Sequence, residues 1–377
     1  MKPGLLVETH IFTDFLHLQW QDMVMVAVGL ILIYLAIVKE YEPVLLLPIG
    51  FGCILANLGM AATPDGDGFL SVLYRAGIES ELFPLMIFIG VGGMIDFSPL
   101  LSQPHLALLG AAGQFGIYGT LLIATLLGFD LPEAASIGVI GAIDGPTAIF
   151  VAGKLAPQIL APIAVAAYSY MSLIPIIQPP IMKLLTTRKE RLIRMEYAPR
   201  EVSQNALIIF PILITIVISI IAPDAAPLIA ALMLGNLLKE SGVVERLNQS
   251  AQNEIINIST LFLGLTIGAT MTADSFLQFE TIMILALGLI AFILDTVAGL
   301  LFGKLMAFFT SGKINPLIGA CGISAFPMAG RLSAKMAQEE DFENYILMHA
   351  MGSNTAGQLG SVIAGGLLLS LVLHSFK

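Results

Sequence analysis

Charge is what this chain has least of. Only 12% of its residues are Asp, Glu, Lys or Arg against 57% hydrophobic, far too little polar material to cover a soluble surface of this size. That excludes a soluble globular protein, and the mean hydropathy of +0.90 marks a polytopic membrane protein. Cysteine is nearly absent: Cys53 and Cys321 both lie inside apolar runs, where they read as small packing residues and say nothing about redox compartment. No phosphate-binding loop, no cluster at metal-ligand spacing and no Ser-His-Asp arrangement is present, so no motif for a nucleotide-driven pump exists. A net charge of −10 argues against a nucleic-acid partner, although in a membrane chain the placement of charge says more than its sum. Residues 1–20, MKPGLLVETHIFTDFLHLQW, lack a basic stretch followed by a clean apolar run. They read as an interfacial segment and not as a cleaved signal.

Hydrophobic runs and glycine are what the chain has in quantity. A bilayer core about 30 Å thick takes about 20 apolar residues per helix, which leaves room for roughly ten to twelve segments. They fall near 22–38, 43–60, 82–96, 104–128, 133–153 and 158–185, then 205–222, 225–238, 254–272, 278–309, 314–330 and 344–373. Between the two sets lies the one long polar stretch, 186–204, with Arg188, Lys189, Arg191, Arg194 and Arg200. By the positive-inside rule it is a basic cytoplasmic loop.

The halves on either side, 21–185 and 205–377, match each other. IGVIGAIDGPTA (137–148) and IGACGISAFPMA (318–329) share I-G-x-x-G-x-x-x-x-P-x-A without gaps, 181 positions apart. FIGV (88–91) recurs as FLGL (262–265), and GCILANLG (52–59) is echoed by GNLLKESG (235–242). The chain therefore reads as an all-α membrane protein of two repeats, each carrying one helix broken by Gly and Pro. An inverted pairing needs an odd number of spans per half, so one segment per half is expected to be re-entrant, with 82–96 and 254–272 as the candidates. Two discontinuous helices meeting near the midplane are the mark of secondary-transporter-like architecture, where unwound backbone faces an ion or substrate.

An acid at membrane depth costs at least about 2.5–3.5 kcal/mol and is functional by default. Asp144, in GAIDGP, is the leading candidate; its plainer role as a cap on the second half-helix is compatible with binding an ion. Ser324 stands beside the corresponding position of the other repeat. Oxygens of this kind suit Na⁺ or a proton better than a transition metal. Arg331 closes the second broken helix, either reaching to the interface or holding a carboxylate-bearing ligand. Tyr168, Tyr170, Ser169 and Ser172 form a polar patch, and Asn354, Ser353, Thr355 and Ser361 another in the last helix; belt aromatics and close helix packing are the alternatives. Asp295 is a second buried acid, placed opposite Gln114 by the repeat.

At GAIDGPTAIF, AAYSYMSLIPIIQPP, NPLIGACGISAFPMAGR and MGSNTAGQLGS the chain resembles the membrane-embedded β subunit of the biotin-dependent sodium-pumping decarboxylases, the family of the oxaloacetate, methylmalonyl-CoA and glutaconyl-CoA decarboxylase complexes. The resemblance implies that a soluble carboxyltransferase α subunit loads CO₂ onto the biotin of a carrier protein. This subunit then decarboxylates carboxybiotin, consuming a proton, and exports Na⁺ across a bacterial or archaeal cytoplasmic membrane. It implies catalytic roles for Asp144, Arg331 and Tyr170, with Asn315, Gly319 and Ser324 as the further matched positions of the second broken helix. Na⁺ is then assigned to Asp144, Ser324, Tyr170, Asn315 and Asn354, and the biotin group to Arg331, Asn315 and Gly319. Expected partners are the biotin carrier, the α subunit, a small membrane-anchor subunit, further copies of the chain and the bilayer. The residues alone fit a second reading equally: a Na⁺- or H⁺-coupled secondary transporter, an antiporter or an organic-anion symporter.

Overall fold

The computed structural model describes residues 19–62, 66–196 and 201–375, so most of the expected interfacial segment 1–20 lies outside the described residues. Every described element is helical, as membrane-buried backbone requires when no water is at hand to pair its polar groups. Among the described residues seven helices are long and apolar enough to cross a bilayer: Trp20–Val38, Pro43–Met60, Pro104–Leu126, Pro157–Leu185, Gln204–Ile221, Phe279–Phe309 and Leu347–Ser375. A further apolar pair, Phe69–Glu79 and Leu82–Met94, is bent by 58°, the form of a broken span or of a re-entrant loop. Ala226–Ser241 and Ile256–Ala269 pack against these.

The two broken helices arise from explicit stop and start signals. In the first, Asp130 opens Leu131–Val139 with a capping box, its side chain accepting from the Glu133 N–H at 2.8 Å. The helix tightens through Ile140–Ala142 and stops at Ile143, whose φ of 52° is left-handed. Asp144 then caps Gly145–Leu155, with Pro146 in the first turn. In the second, Asn315 caps Pro316–Cys321, residues 322–327 are irregular, and Met328–Glu340 follows. Each half-helix, at about 1.5 Å per residue, is too short to cross a bilayer.

Both broken helices are re-entrant. Just past the first, Gln158 Nε2 donates to Glu133 Oε1 at 3.1 Å, so its two feet share one face. The feet of the second both touch the loop at 186–196: Asn315 Nδ2 donates to the Arg191 carbonyl at 3.0 Å, and Arg191 pairs with Glu340 at 2.7 Å. Pro157–Leu185 connects one set of feet to the other, so the hairpins dip in from opposite faces. Their tips meet where the Ser324 N–H donates to the Ala142 carbonyl at 3.2 Å. Of the re-entrant elements expected at 82–96 and 254–272, the first is the second arm of the bent pair; the hairpins at 131–155 and 316–340 are reversals that hydropathy does not separate from a continuing helix.

Around the hairpins, two crossed helix pairs each take one helix from either half. Pro43–Leu55 lies on Ile256–Ala269, where a Cβ at Gly52 would come 2.2 Å from the Leu265 carbonyl oxygen and one at Gly268 2.0 Å from that of Ile49. Leu82–Met94 lies on Ala226–Ser241 in the same manner: a Cβ at Gly235 would come 1.9 Å from the Ile89 oxygen, and one at Gly92 1.9 Å from the Leu232 oxygen. Only glycine permits backbones this close. Asn57 Nδ2 donates to the Met271 carbonyl at 2.8 Å beside the first pair, and Asn236 Nδ2 to that of Ile95 at 3.1 Å beside the second.

The basic loop folds onto the acidic foot of the second hairpin. Arg188 and Arg191 pair with Glu340, Arg194 with Asp341 and Glu343, Lys183 with Glu339 and Lys304 with Glu190. Arg191 beside Glu340 holds that carboxyl below its usual range, and Arg194 does the same for Asp341.

Candidate ion and substrate site at the hairpin tips

Asp144 lies at the meeting of the tips, 4% exposed. Its Oδ2 accepts from Ser361 Oγ at 2.8 Å and Gln358 Nε2 at 3.0 Å, and its Oδ1 from the Thr147 N–H at 3.3 Å. All three donors are neutral, and no ion pair involves Asp144 among the described residues. A buried carboxylate so placed still lacks a compensating charge.

Neutral oxygens without partners gather near it. The hydroxyls of Ser324 and Thr147 face the same carboxylate and have no geometric hydrogen bond of their own. Asn354 donates through Nδ2 to the Ile323 carbonyl at 2.8 Å, next to Ser324, and its Oδ1 has no donor. Tyr168 is 5% exposed and its hydroxyl is likewise unpartnered. Hard, mostly uncharged oxygens around one carboxylate suit a hard monovalent cation.

Asp144, Ser324 and Tyr168 open onto a cavity of about 760 Å³ whose lining also includes Arg331, Glu42 and Asp96. That is the size of a small-molecule pocket, far beyond the needs of a single ion. The cavity reaches the loop face: beside Asp96, the Ile95 carbonyl accepts from Lys239 Nζ at 2.9 Å, and the neighbouring Glu240 carbonyl accepts from Gln204 Nε2 at 2.6 Å. Arg331 is exposed on its wall.

Of the residues expected from the sequence, Asp144, Ser324 and Arg331 line this cavity, and Asn354 adjoins the second tip. The other three are engaged elsewhere. Tyr170 donates its hydroxyl to the Leu285 carbonyl and packs on Gly288. Gly319 crosses Gly299, where a Cβ would stand 2.1 Å from the Gly299 oxygen, so its part is close approach. Asn315 uses every polar atom: Nδ2 donates to the carbonyls of Arg191 and Ile193, and Oδ1 accepts from the Leu317 N–H at 3.0 Å. The physical reason in each case is a partner that local sequence does not reveal. Gln358 was missed. It follows Asn354 by one turn and precedes Ser361 by another, so the three share a helix face, and that spacing was the available signal.

Comparison with known proteins adds the chemistry. The sequence model of the family described as the Na⁺-transporting oxaloacetate decarboxylase beta subunit matches residues 21–372. The chain belongs to this family. It is 52% identical to the methylmalonyl-CoA decarboxylase subunit beta of Veillonella parvula, over 96% of this chain and 95% of that one. It is 51% identical to the glutaconyl-CoA decarboxylase subunit beta of Acidaminococcus fermentans, over 96% of each. To the oxaloacetate decarboxylase beta chain of Klebsiella pneumoniae it is 47% identical, over 95% of this chain and 96% of that one. Membership in a family of Na⁺-transporting decarboxylase β subunits supports a decarboxylase coupled to Na⁺ transport, in a multi-pass bacterial membrane protein, and does not favour a plain secondary transporter.

Proposed function

We propose that this chain decarboxylates carboxybiotin in the loop-face cavity and uses the reaction to move Na⁺ past the hairpin tips. The observation that carries this reading is Asp144: a buried carboxylate at the meeting of two re-entrant tips, held by neutral donors and open to a cavity of substrate size. Na⁺ sits against Asp144 with oxygens of Ser324 and Asn354. Tyr170, Asn315 and Gly319 hold the helices and hairpins that carry those ligands.

Arg331 receives the carboxylate of carboxybiotin, as its planar fork suits. Decarboxylation breaks the bond between the ring nitrogen and the carboxyl carbon, releases CO₂ and returns a proton to that nitrogen. The biotin carrier delivers its group from the cytoplasm, which is the face of the basic loop by the positive-inside rule; the α subunit loads the carrier and a small membrane-anchor subunit joins the assembly, with further copies of the chain. The exchanged helix pairs and opposed hairpins support two inverted repeats, 21–185 and 205–377.

Purified chain in liposomes, given free carboxybiotin, should decarboxylate it faster with Na⁺ than without and accumulate ²²Na⁺. Turnover indifferent to Na⁺, or no turnover, would refute the reading.

A further inference from the structure

We propose that Asp295 is a positioning residue that carries its proton and, as a neutral acid, donates to the backbone of the first hairpin tip at Gly141, as Gln114 does to the second tip at Gly322. Its bearing on the ion rests on Asp144 being the Na⁺ ligand, as above; the infrared signature that tests it does not.

The repeat supplies the comparison. An offset of 181 pairs Gln114 with Asp295 and Gly141 with Gly322, the second glycine of each I-G-x-x-G. Gln114 is buried and crosses to the other half of the chain, where its Nε2 donates to the Gly322 carbonyl at 3.1 Å. Asp295 makes the reciprocal crossing. Its Oδ2 lies 3.0 Å from the place a Cβ on Gly141 would occupy, against the first tip, and its Oδ1 accepts from the Gly116 N–H. One side chain from each half thus reaches the equivalent turn of the other half, with an amide donor in one case and a carboxyl in the other.

The surroundings decide the form of that carboxyl. Asp295 is 0% exposed, does not line the cavity at the tips and forms no salt bridge among the described residues. No donor reaches its Oδ2. Backbone closes in on the group instead: a Cβ at Gly116 would come 2.6 Å from Asp295 Cγ. Asp144, by contrast, has three donors and a cavity from which a cation can come. A carboxylate with one neutral donor and no cation is costly in such a place. The protonated acid is uncharged, and its Oδ2 becomes the hydroxyl donor whose counterpart in the other repeat is the Gln114 amide. Gly141 precedes Ala142, whose carbonyl accepts the Ser324 N–H, and stands three residues before Asp144. Holding Gly141 therefore holds the turn that presents Asp144 to the ion.

The test is infrared difference spectroscopy of the purified full-length chain in lipid nanodiscs at neutral pH, with equilibrium ²²Na⁺ binding to the same samples and no carboxyl donor. Asp295→Asn keeps both an acceptor for Gly116 and a donor for Gly141. It should remove a protonated-carboxyl C=O band from the spectrum, leave the ionised carboxylate bands unchanged and bind Na⁺ with wild-type affinity. Asp295→Leu has no donor and should bind Na⁺ about ten-fold more weakly, as loss of one positioning hydrogen bond would. Loss of an ionised carboxylate band in Asp295→Asn would overturn the proposal, as would weakened Na⁺ binding by Asp295→Asn or wild-type binding by Asp295→Leu. Should Asp295→Leu fail to fold, the infrared difference between wild type and Asp295→Asn decides. Failure of the decarboxylase reading would show only in the carboxybiotin assay and leave the Asp295 band unchanged.

Discussion

The Ser324 N–H donates to the Ala142 carbonyl at 3.2 Å, so a backbone hydrogen bond joins the two hairpins tip to tip, beside an apolar cluster of Ile143, Ile323 and Ala325. The Ser324 hydroxyl takes no part in that bond. Ser324→Ala should fold and assemble normally while raising the Na⁺ concentration for half-maximal decarboxylation about ten-fold, the cost of one lost ligand. A Na⁺ titration of the variant in liposomes checks it; an unchanged half-saturation would remove Ser324 from the ion site.

Asp144→Asn keeps the shape of the side chain and removes the charge. One amide oxygen can still accept from Ser361 or Gln358, so insertion should survive, but Na⁺-dependent decarboxylation should fall to background. Asp295→Asn is the control. Asp295 is also buried, and its Oδ1 accepts from the Gly116 N–H. If Asp295→Asn abolishes Na⁺ dependence and Asp144→Asn does not, the coupling acid is Asp295.

Gln358→Leu removes one of the two side-chain donors that orient Asp144. Loss of a charge-assisted hydrogen bond should lower stability by about 1–3 kcal/mol and weaken Na⁺ binding, with Gln358→Asn a partial substitute. Thermal denaturation alongside a Na⁺ titration separates the effects: a purely structural glutamine would shift the first alone.

Asn315 and Asn344 both donate through Nδ2 to the carbonyls of Arg191 and Ile193, at 2.9–3.2 Å. A carboxylate in either position would set oxygen against oxygen. Asn315→Asp and Asn344→Asp should therefore release the loop at 187–196, read as faster hydrogen exchange there, while ²²Na⁺ binding persists. Loss of the ion from Asn315→Asp with the loop still protected would return Asn315 to the ligand set.

Acid should loosen the same loop. The carboxyls of Glu340 and Asp341 are held below their ordinary values of 4.5 and 3.8 by Arg191 and Arg194 respectively. The folded state thus binds their protons less readily than the unfolded one. The pairing contributes fully above those ordinary values and is lost as pH falls through the depressed ones. Hydrogen exchange at 187–196, corrected for its intrinsic pH dependence, should accelerate over that window, and 1 M salt at neutral pH should act in the same direction.

Much of the site could be read from the chain, and the remainder could not for physical reasons. The pairs Gly145-Pro146 and Phe326-Pro327 announce both breaks, and an acid beside one of them identifies Asp144. Tyr168 and Tyr170 are two residues apart on one helix and therefore point to nearly opposite faces. Composition ranks them equally, and only the position of the first hairpin puts Tyr168 against Asp144. Asn315 next to a helix break reads as a ligand until a loop distant in sequence is found folded across it. Half-helices too short to span carry the same hydropathy as pieces of a spanning helix, which is why the hairpins were legible as breaks and not as reversals.

Tips that meet from opposite faces have an electrical consequence. A cavity open to the loop-face solution brings the potential of that solution inward to Asp144, so the voltage across the membrane falls mainly over the layer beyond the tips. Each elementary charge crossing the full drop corresponds to about 2.3 kcal/mol per 100 mV. An ion displaced by a few ångströms at this septum therefore works against most of the membrane voltage, and a small movement of the hairpins suffices to convert a chemical step into an electrical one.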